Sequence, residues 1–545
     1  MNDSTLKKLT TVPHKKVVYL IKQSIDWKDY LTKINRRDVE IVTPPASAII
    51  ESMRAYGYSL PQAIADLIDN SISAGAKNIW LLFHWAGPDS WVSLTDDGCG
   101  MSEKRLVTAM TPGSKNPLEK RKPSDLGRFG QGMKTASFSQ CRRLTVKSLQ
   151  DGVESIRRWD LDFIAFNARR NEDQWLLLKT PFKESEARLR FPANEKYISG
   201  TVVLWELLDR IVDDSPLSNG NAQRDFHRQI NLTGSYLAMV FHRFLEGNRP
   251  VIRLFINGMK DLHRVRAWDP FLDIHPCTEK TPEEVFEFKE QNITVQGYIL
   301  PCKDRLDTNL FQKASGPNGW NAQQGFYVYR NRRLLVAGSW LGLGRLEKPW
   351  TKEEHYKLAR IRVDLPNSMD QEWQIDVKKS VVVPPSEIQE RLLILAQEVR
   401  KKARNVFAHR GKYGSRPAKI DVVRPWISSK RSGKPIYRID RSHPLVMEIS
   451  KLLKEKKPLI EALLEVIEET VPIQRIWLDT AEKPDRHLLP FEHKTKKDIR
   501  QTIKLTYESL LNNGWCREEA VVYLMKQEEF LDYNDLIESL ERDSI

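Results

Sequence analysis

Three short stretches carry residues whose types and spacing suit work on a phosphorylated ligand. In Ala63-Ile-Ala-Asp66-Leu-Ile-Asp-Asn70 a carboxylate and a carboxamide stand four residues apart, so on a helix they leave one face a turn from each other. The amide oxygen of Asn70 suits Mg²⁺, and the carboxylate of Asp66 suits a group that orients or deprotonates a water. In Asp96-Asp-Gly98-Cys-Gly100-Met101 an acid at a strand end precedes glycines that let backbone approach a ligand closely, so Asp96 can accept a hydrogen bond from an amino group such as that of adenine. In Gly127-Arg-Phe-Gly130-Gln-Gly132-Met-Lys134-Thr135 the glycines free successive N–H groups to face an anion, and the helix that starts there adds positive partial charge. Taken singly, each has a plainer reading: the solvated face of an amphipathic helix, an ordinary turn, a surface loop.

The elements that must hold these residues are legible around them. Ile49, Ile50 and Met53 predict a short helix before a break at Gly57-Tyr58-Ser59, and Pro61 falls in the first turn of the next helix, where a missing N–H costs little. On that helix Ile64, Leu67 and Ile68 form the predicted core face. Residues 77–85 and 91–95 predict two strands around the turn Ala86-Gly-Pro-Asp-Ser, and the Asp96 turn follows the second directly. Residues 143–148, 155–163, 174–179 and 201–207 predict further strands and residues 223–245 a closing helix, which makes the fold class α+β with a largely antiparallel sheet. A second α/β unit is predicted from residue 251, opened by a hairpin at Asn257-Gly258, continued by strands at 296–300, 325–336, 358–365 and 373–383, and closed by a helix over 387–407. Residues 443–545 read as helical from their apolar spacing. The expected division is therefore an N-terminal strap (1–45), a ligand-binding domain (46–245), a second α/β domain (246–407), a basic linker (408–442) and a helical C-terminal region (443–545).

At 545 residues the chain exceeds the roughly 250–300 residues that one hydrophobic core supports. No run approaches the ~18 apolar residues of a membrane span, and the opening Met1-Asn-Asp-Ser-Thr-Leu-Lys-Lys lacks the apolar core of a signal peptide, so a cytoplasmic protein with no membrane partner is expected. The cysteines (Cys99, Cys141, Cys277, Cys302 and Cys516) form no CxxC pair, which argues against a disulfide framework or a zinc site. The net charge of +14 is concentrated: residues 400–441 hold fourteen Lys/Arg against Asp421 and Asp440, with Phe407, Tyr413, Trp426 and Tyr437 interleaved. That pattern suits phosphate contacts and base stacking, whereas residues 518–545 carry nine acids against Lys526 and Arg542.

In this order and with these gaps, the three stretches together resemble the GHKL superfamily of Bergerat-fold ATPases, which includes DNA gyrase, MutL, heat-shock chaperones of this fold, histidine kinases and the MORC proteins; the wording is nearest MORC and MutL-like members. The resemblance implies ATP and Mg²⁺ as ligands, with Asn70 on Mg²⁺, Asp96 on adenine, Gly98 and Gly100 in the adjoining turn, and Gly127, Gly130, Gly132 and Lys134 in a lid over the phosphates; Met101 and Thr135 join the nucleotide-binding set. Thr201, opening a strand after Gly200, looks like the threonine that supports the adenine-binding acid. Residues 246–407 look like a transducer domain, whose lysine reaching the γ-phosphate is Lys379 in preference to Lys378. Two departures stand out. The general base of the family is a glutamate where this chain has Asp66, which implies slow hydrolysis, and the acid expected three residues after Asn70 is Ser73.

The function so implied is a nucleotide-gated homodimeric clamp on duplex DNA, gripped through residues 400–441, in a bacterial restriction or anti-phage defence system beside a nuclease, helicase or methyltransferase. Two alternatives stay open: a chaperone-like ATPase holding protein clients, and a nucleotide-binding scaffold without turnover. A further expectation, from charge signs alone, docks the acidic tail on the basic stretch when DNA is absent.

Overall fold

The computed structural model describes residues 39–40, 42, 44–114, 132–192, 197–212, 216–345, 348–376, 382–408, 423–431, 434–482, 491 and 493–542. Most of the expected N-terminal strap lies outside the described residues, so the account begins with helix α1 (Ala46–Arg54).

Helix α2 (Leu60–Ser73) is the centre of the first unit. Ser59 and Gln62 close a capping box at its start, and Pro61 sits in the first turn as the sequence predicts. Ile64, Leu67 and Ile68 are all buried, and α2 packs on α4 (Gly132–Phe138) and α6 (Gly220–Val240). The sheet beneath comprises β1 (Asn78–His84), β2 (Trp91–Asp96), β3 (Arg143–Gln150), β4 (Val153–Asp160), β5 (Gly200–Glu206) and β6 (Arg253–Ile256) in the order β4-β3-β5-β2-β1-β6. It is antiparallel except for β6, which runs parallel to β1, and with α3 (Glu103–Met110) and α5 (Leu161–Ala168) it makes the expected α+β class.

Several local expectations fail for identifiable reasons. The strand predicted over 155–163 stops at Asp160, whose carboxylate accepts the Phe163 N–H and caps α5 instead. Residues 174–179 reach the sheet edge through a single bridge between Leu178 and Arg158. The Asn257-Gly258 pair makes no hairpin. Asn257 takes a left-handed φ of 53° and its side chain accepts the Phe83 N–H at 2.7 Å, so the strand expected to open the second unit completes the first sheet.

The second sheet is built from β7 (Glu279–Lys280), β8 (Glu284–Phe288), β9 (Gln291–Ile299), β10 (Gly325–Arg330), β11 (Arg333–Ser339) and β12 (Ala359–Leu365), ordered β11-β10-β12-β9-β7 with β8 also on β9. Asn331 and Arg332, both at positive φ, form the two-residue turn that a right-twisted hairpin favours. Helix α7 (Ser386–Ala408) covers β9 and β12. The strand predicted over 373–383 is not formed in its described part: Trp373 is fully buried in a turn that closes on Met369, and residues 377–381 lie outside the described residues. Within the stretch read as a linker, β13 (Trp426–Arg431) and β14 (Lys434–Ile439) pair as a hairpin. The C-terminal region is helical as predicted, with α8 (Pro444–Leu452), α9 (Lys457–Glu469), α10 (Ile473–Glu482), α11 (Lys496–Asn512), α12 (Arg517–Lys526) and α13 (Asn534–Arg542), and its core gathers Ile503, Tyr507, Leu510, Tyr523 and Leu524. No described helix is long and apolar enough to cross a membrane.

The two sheets share a core. Tyr298, Tyr327, Tyr329 and Leu334 of the second sheet are buried in the same cluster as α2 and α6, and His242 bonds the Tyr329 hydroxyl at 2.8 Å. Arg333 on β11 reaches Asp69 on α2 at 2.9 Å, with both side chains almost completely buried. Removing one partner of such a pair strands a buried charge, whereas replacing both with apolar groups removes the desolvation cost as well. Arg333→Met should therefore destabilise the protein by ~3–5 kcal/mol in urea unfolding. The double variant Asp69→Leu/Arg333→Met should recover most of that loss.

Candidate active site

Asp66 and Asn70 leave the same face of α2, as their spacing predicts, but in different settings. Asn70 is exposed, while Asp66 is 5 % exposed and its Oδ2 accepts the Tyr58 hydroxyl at 3.1 Å. Burial, followed by the Asp66 carboxylate, pushes the Tyr58 phenol well above its ordinary range, so it stays protonated and donates. Gly132, the first residue of α4, lies against the same oxygen: a Cβ there would stand 3.2 Å from Asp66 Oδ2. Between them in sequence, Asp69 points into the protein toward Arg333. Burial opposes the charge on Arg333, yet the Asp69 carboxylate, Tyr236 and Asp66 more than offset it and hold the guanidinium firmly protonated.

Asp96 ends β2 beneath the same helix. Ser71 of α2 donates to its Oδ2 at 2.7 Å and the Gly98 N–H to its Oδ1 at 2.9 Å. Burial raises this carboxyl to about 6, against the lowering effect of those two donors. Thr201 is its strand partner on β5, and the Thr201 hydroxyl lies 3.1 Å from that of Ser148, which also accepts the Met101 N–H at 2.8 Å. Asp96, Gly98, Met101 and Thr201 are thus brought into one hydrogen-bonded network. Gly100, with φ of 63°, is required by packing, since a Cβ would fall 1.9 Å from the Leu149 carbonyl oxygen.

Ser73 does not stand in for an acid. Its hydroxyl turns back to the Asp69 carbonyl at 2.8 Å, and the glycine turn is held instead by Asp97, which accepts the Lys77 and Asn78 N–H groups at 2.7 and 2.8 Å. Lys134 is buried with its ammonium on the Ala109 carbonyl at 2.7 Å, tying α4 to α3, and Thr135 is fully buried beside Tyr58. Gly127 and Gly130 lie outside the described residues, as do Lys378 and Lys379; the described residue just before that second segment, Asp376, is near enough to act electrostatically on Tyr58.

Among the described residues no group of three or more His, Cys, Asp or Glu could hold a metal. A lone exposed amide at Asn70 fits Mg²⁺, which keeps several waters and takes substrate phosphate oxygens rather than a protein cage. Sequence reasoning passed over Tyr58, Asp69, Ser71, Ser148 and Arg333. Asp69 carried a signal, being an acid amid apolar neighbours inside the motif; the others show only through contacts between distant elements.

Residues 58–200 match the family model described as Histidine kinase-, DNA gyrase B-, and HSP90-like ATPase. The chain is also similar to the ATPase morc-1 of Caenorhabditis elegans, 29 % identical over 114 residues that make up 21 % of this chain and 12 % of that protein. The chain therefore spans only a small part of that relative's length.

The raised Asp96 carboxyl has a pH signature. A carboxyl with a folded value near 6 against an ordinary 3.8 binds more protons in the folded state between those values. Its stabilising contribution is fully present below about 4 and is lost as pH rises through about 6. Thermal midpoints of wild type and Asp96→Asn between pH 4 and 8 should show the wild type losing stability relative to the variant across that window. A constant difference would contradict the burial of an ionisable group there.

Proposed function

We propose that this chain, whose residues 58–200 match a GHKL-type ATPase family model, binds ATP with Mg²⁺ and hydrolyses it slowly, as the gate of a homodimeric clamp on duplex DNA. One observation carries the reading: α2 presents Asp66, Asn70 and Ser71, and through Ser71 it holds Asp96 at the end of β2, so the residues for water and metal share one helix and the residue for adenine is tied to it. Adenine is recognised by Asp96, and Gly127, Gly130 and Gly132 serve the phosphates. Asn70 would hold Mg²⁺, which when bound would supply charge neutralisation on the phosphate oxygens.

Asp66 orients a water in line with the γ-phosphorus and takes its proton. A water-oxygen to phosphorus bond forms as the bridging bond breaks, ADP leaves with that electron pair, and the proton on Asp66 passes to solvent. Lys379 reaches the γ-phosphate from the second unit; the electrostatic reach of Asp376 to Tyr58 supports that placement. A carboxylate one methylene shorter than glutamate must sit closer to its water, which slows the step.

The DNA grip is narrower than the charge count implies. Arg400 is buried against Tyr356, Trp350 and Trp340 at 3.7, 4.2 and 4.7 Å, Lys402 pairs with Glu279 and Glu398, and Arg441 pairs with Glu461 and Glu468. The β13–β14 hairpin instead exposes Trp426 and Tyr437, at 44 % and 40 %, beside Arg438, a combination suited to nucleic acid. Work in a bacterial defence system beside a nuclease, helicase or methyltransferase belongs to this reading. A chaperone-like clamp and a scaffold without turnover are the competing outcomes.

Asp66→Asn should lower kcat for ATP by ~10²-fold or more while leaving ATP affinity within a few-fold, and Lys379→Ala should also lower kcat. Wild-type turnover no higher than that of Asp66→Asn, with or without DNA, would leave only the scaffold. Duplex affinity should fall roughly 10³-fold between 50 and 200 mM salt if about six phosphates are contacted, and Trp426→Ala should weaken binding further. Salt-independent binding would favour protein clients.

A further inference from the structure

We infer that Tyr58 is a positioning residue for ATP hydrolysis, fixing the short carboxylate of Asp66 and coupling it to α4, the helix that follows the glycine loop; this rests on reading Asp66 as the group that activates water. The residue is held from both sides. Gly57 turns the chain at φ 65°, Ser59 caps α2, and Gln140 Nε2 donates to the Tyr58 carbonyl at 2.9 Å. Its ring is 6 % exposed, and its hydroxyl meets Asp66 Oδ2 at 3.1 Å on one side and the Thr135 side chain of α4 on the other. Gly132, where α4 begins, lets that helix approach the same oxygen closely, since a Cβ there would stand 3.2 Å from it. The carboxylate of Asp66 is therefore held by the turn before α2, and through the Tyr58 hydroxyl it is linked to Thr135 of α4, so a shift of α4 is felt at the carboxylate.

The charged and titratable groups facing this pair come from several elements. Arg333 on β11 and Tyr236 on α6 act on Asp66, Asp69 lies on the same helix, and Asp376 of the second unit acts on Tyr58. A hydrogen bond donated to a carboxylate favours its ionised form, and a charge-assisted one also fixes its orientation.

Steady-state ATPase of the full chain with Tyr58→Phe tests the idea. Expected are a kcat about 10-fold lower, a KM for ATP within twofold of wild type, and an acid limb of the kcat–pH profile displaced to higher pH. A merely structural role would lower the thermal midpoint without moving that limb. An unchanged kcat and limb in Tyr58→Phe, alongside lost turnover in Asp66→Asn, overturns this inference and leaves the reading of Asp66 standing. Full turnover in Asp66→Asn overturns both. If Tyr58→Phe folds poorly, Thr135→Val, which removes only the second partner of the hydroxyl, must move the limb the same way by a smaller amount, and no movement there overturns the inference.

Discussion

The ion pair between Asp69 and Arg333 is the constraint on which the rest of the molecule depends. Two charges taken almost wholly out of water are costly unless their geometry is good and their remaining groups are met. Here the guanidinium also lies 4.6 Å from the centre of the Phe241 ring and donates to the Leu334 carbonyl, so β11, α2 and the end of α6 are fixed together at one point. Asp69 is the residue before Asn70 and three after Asp66. Any rotation of α2 that re-aimed those two side chains would pull Asp69 off its partner, so the second sheet fixes the angular setting of the helix that carries the site.

That arrangement explains which parts of the site were legible in the sequence. Asp66, Asn70 and the apolar face of α2 follow from helical spacing, and Asp96 with its glycines follows from a strand ending in a turn; both are local signals. Arg333 stands 264 residues from Asp69, and Tyr58 acts from a turn outside the helix it serves, so periodicity says nothing about either contact. The same limit explains β6. Asn257-Gly258 has the composition of a hairpin, but the open edge of β1 and the Phe83 N–H offered a better set of backbone partners, and tertiary pairing outweighed turn propensity.

Charge counts proved least informative. Arg400 is formally part of a basic run, yet three aromatic rings enclose it and burial lowers its affinity for the proton. An arginine placed this way fills space and anchors α7 against the second sheet, with its stem packed as firmly as its charge. Residues of one sign in sequence therefore divide into those that hold the fold and those that face outward, and only contacts can sort them. The hairpin that follows, in the stretch read as a basic linker, is where the outward-facing aromatics Trp426 and Tyr437 lie.

The glycines of the site make the last physical point. Gly100 was read for close approach to a ligand, but it is required by close approach of backbone to backbone, and so is Gly200, where a Cβ would stand 2.5 Å from the Asp96 carbonyl oxygen and 2.7 Å from the Phe191 ring. Their effect on the ligand is indirect. By letting β5 and the β2 turn press together, they bring Asp96 within reach of Ser71 and place Thr201 beside Ser148, and that network fixes the buried carboxylate. A residue type can thus mark a functional site correctly while serving it through packing, and the chemistry it was credited with belongs to the side chains it allows to meet.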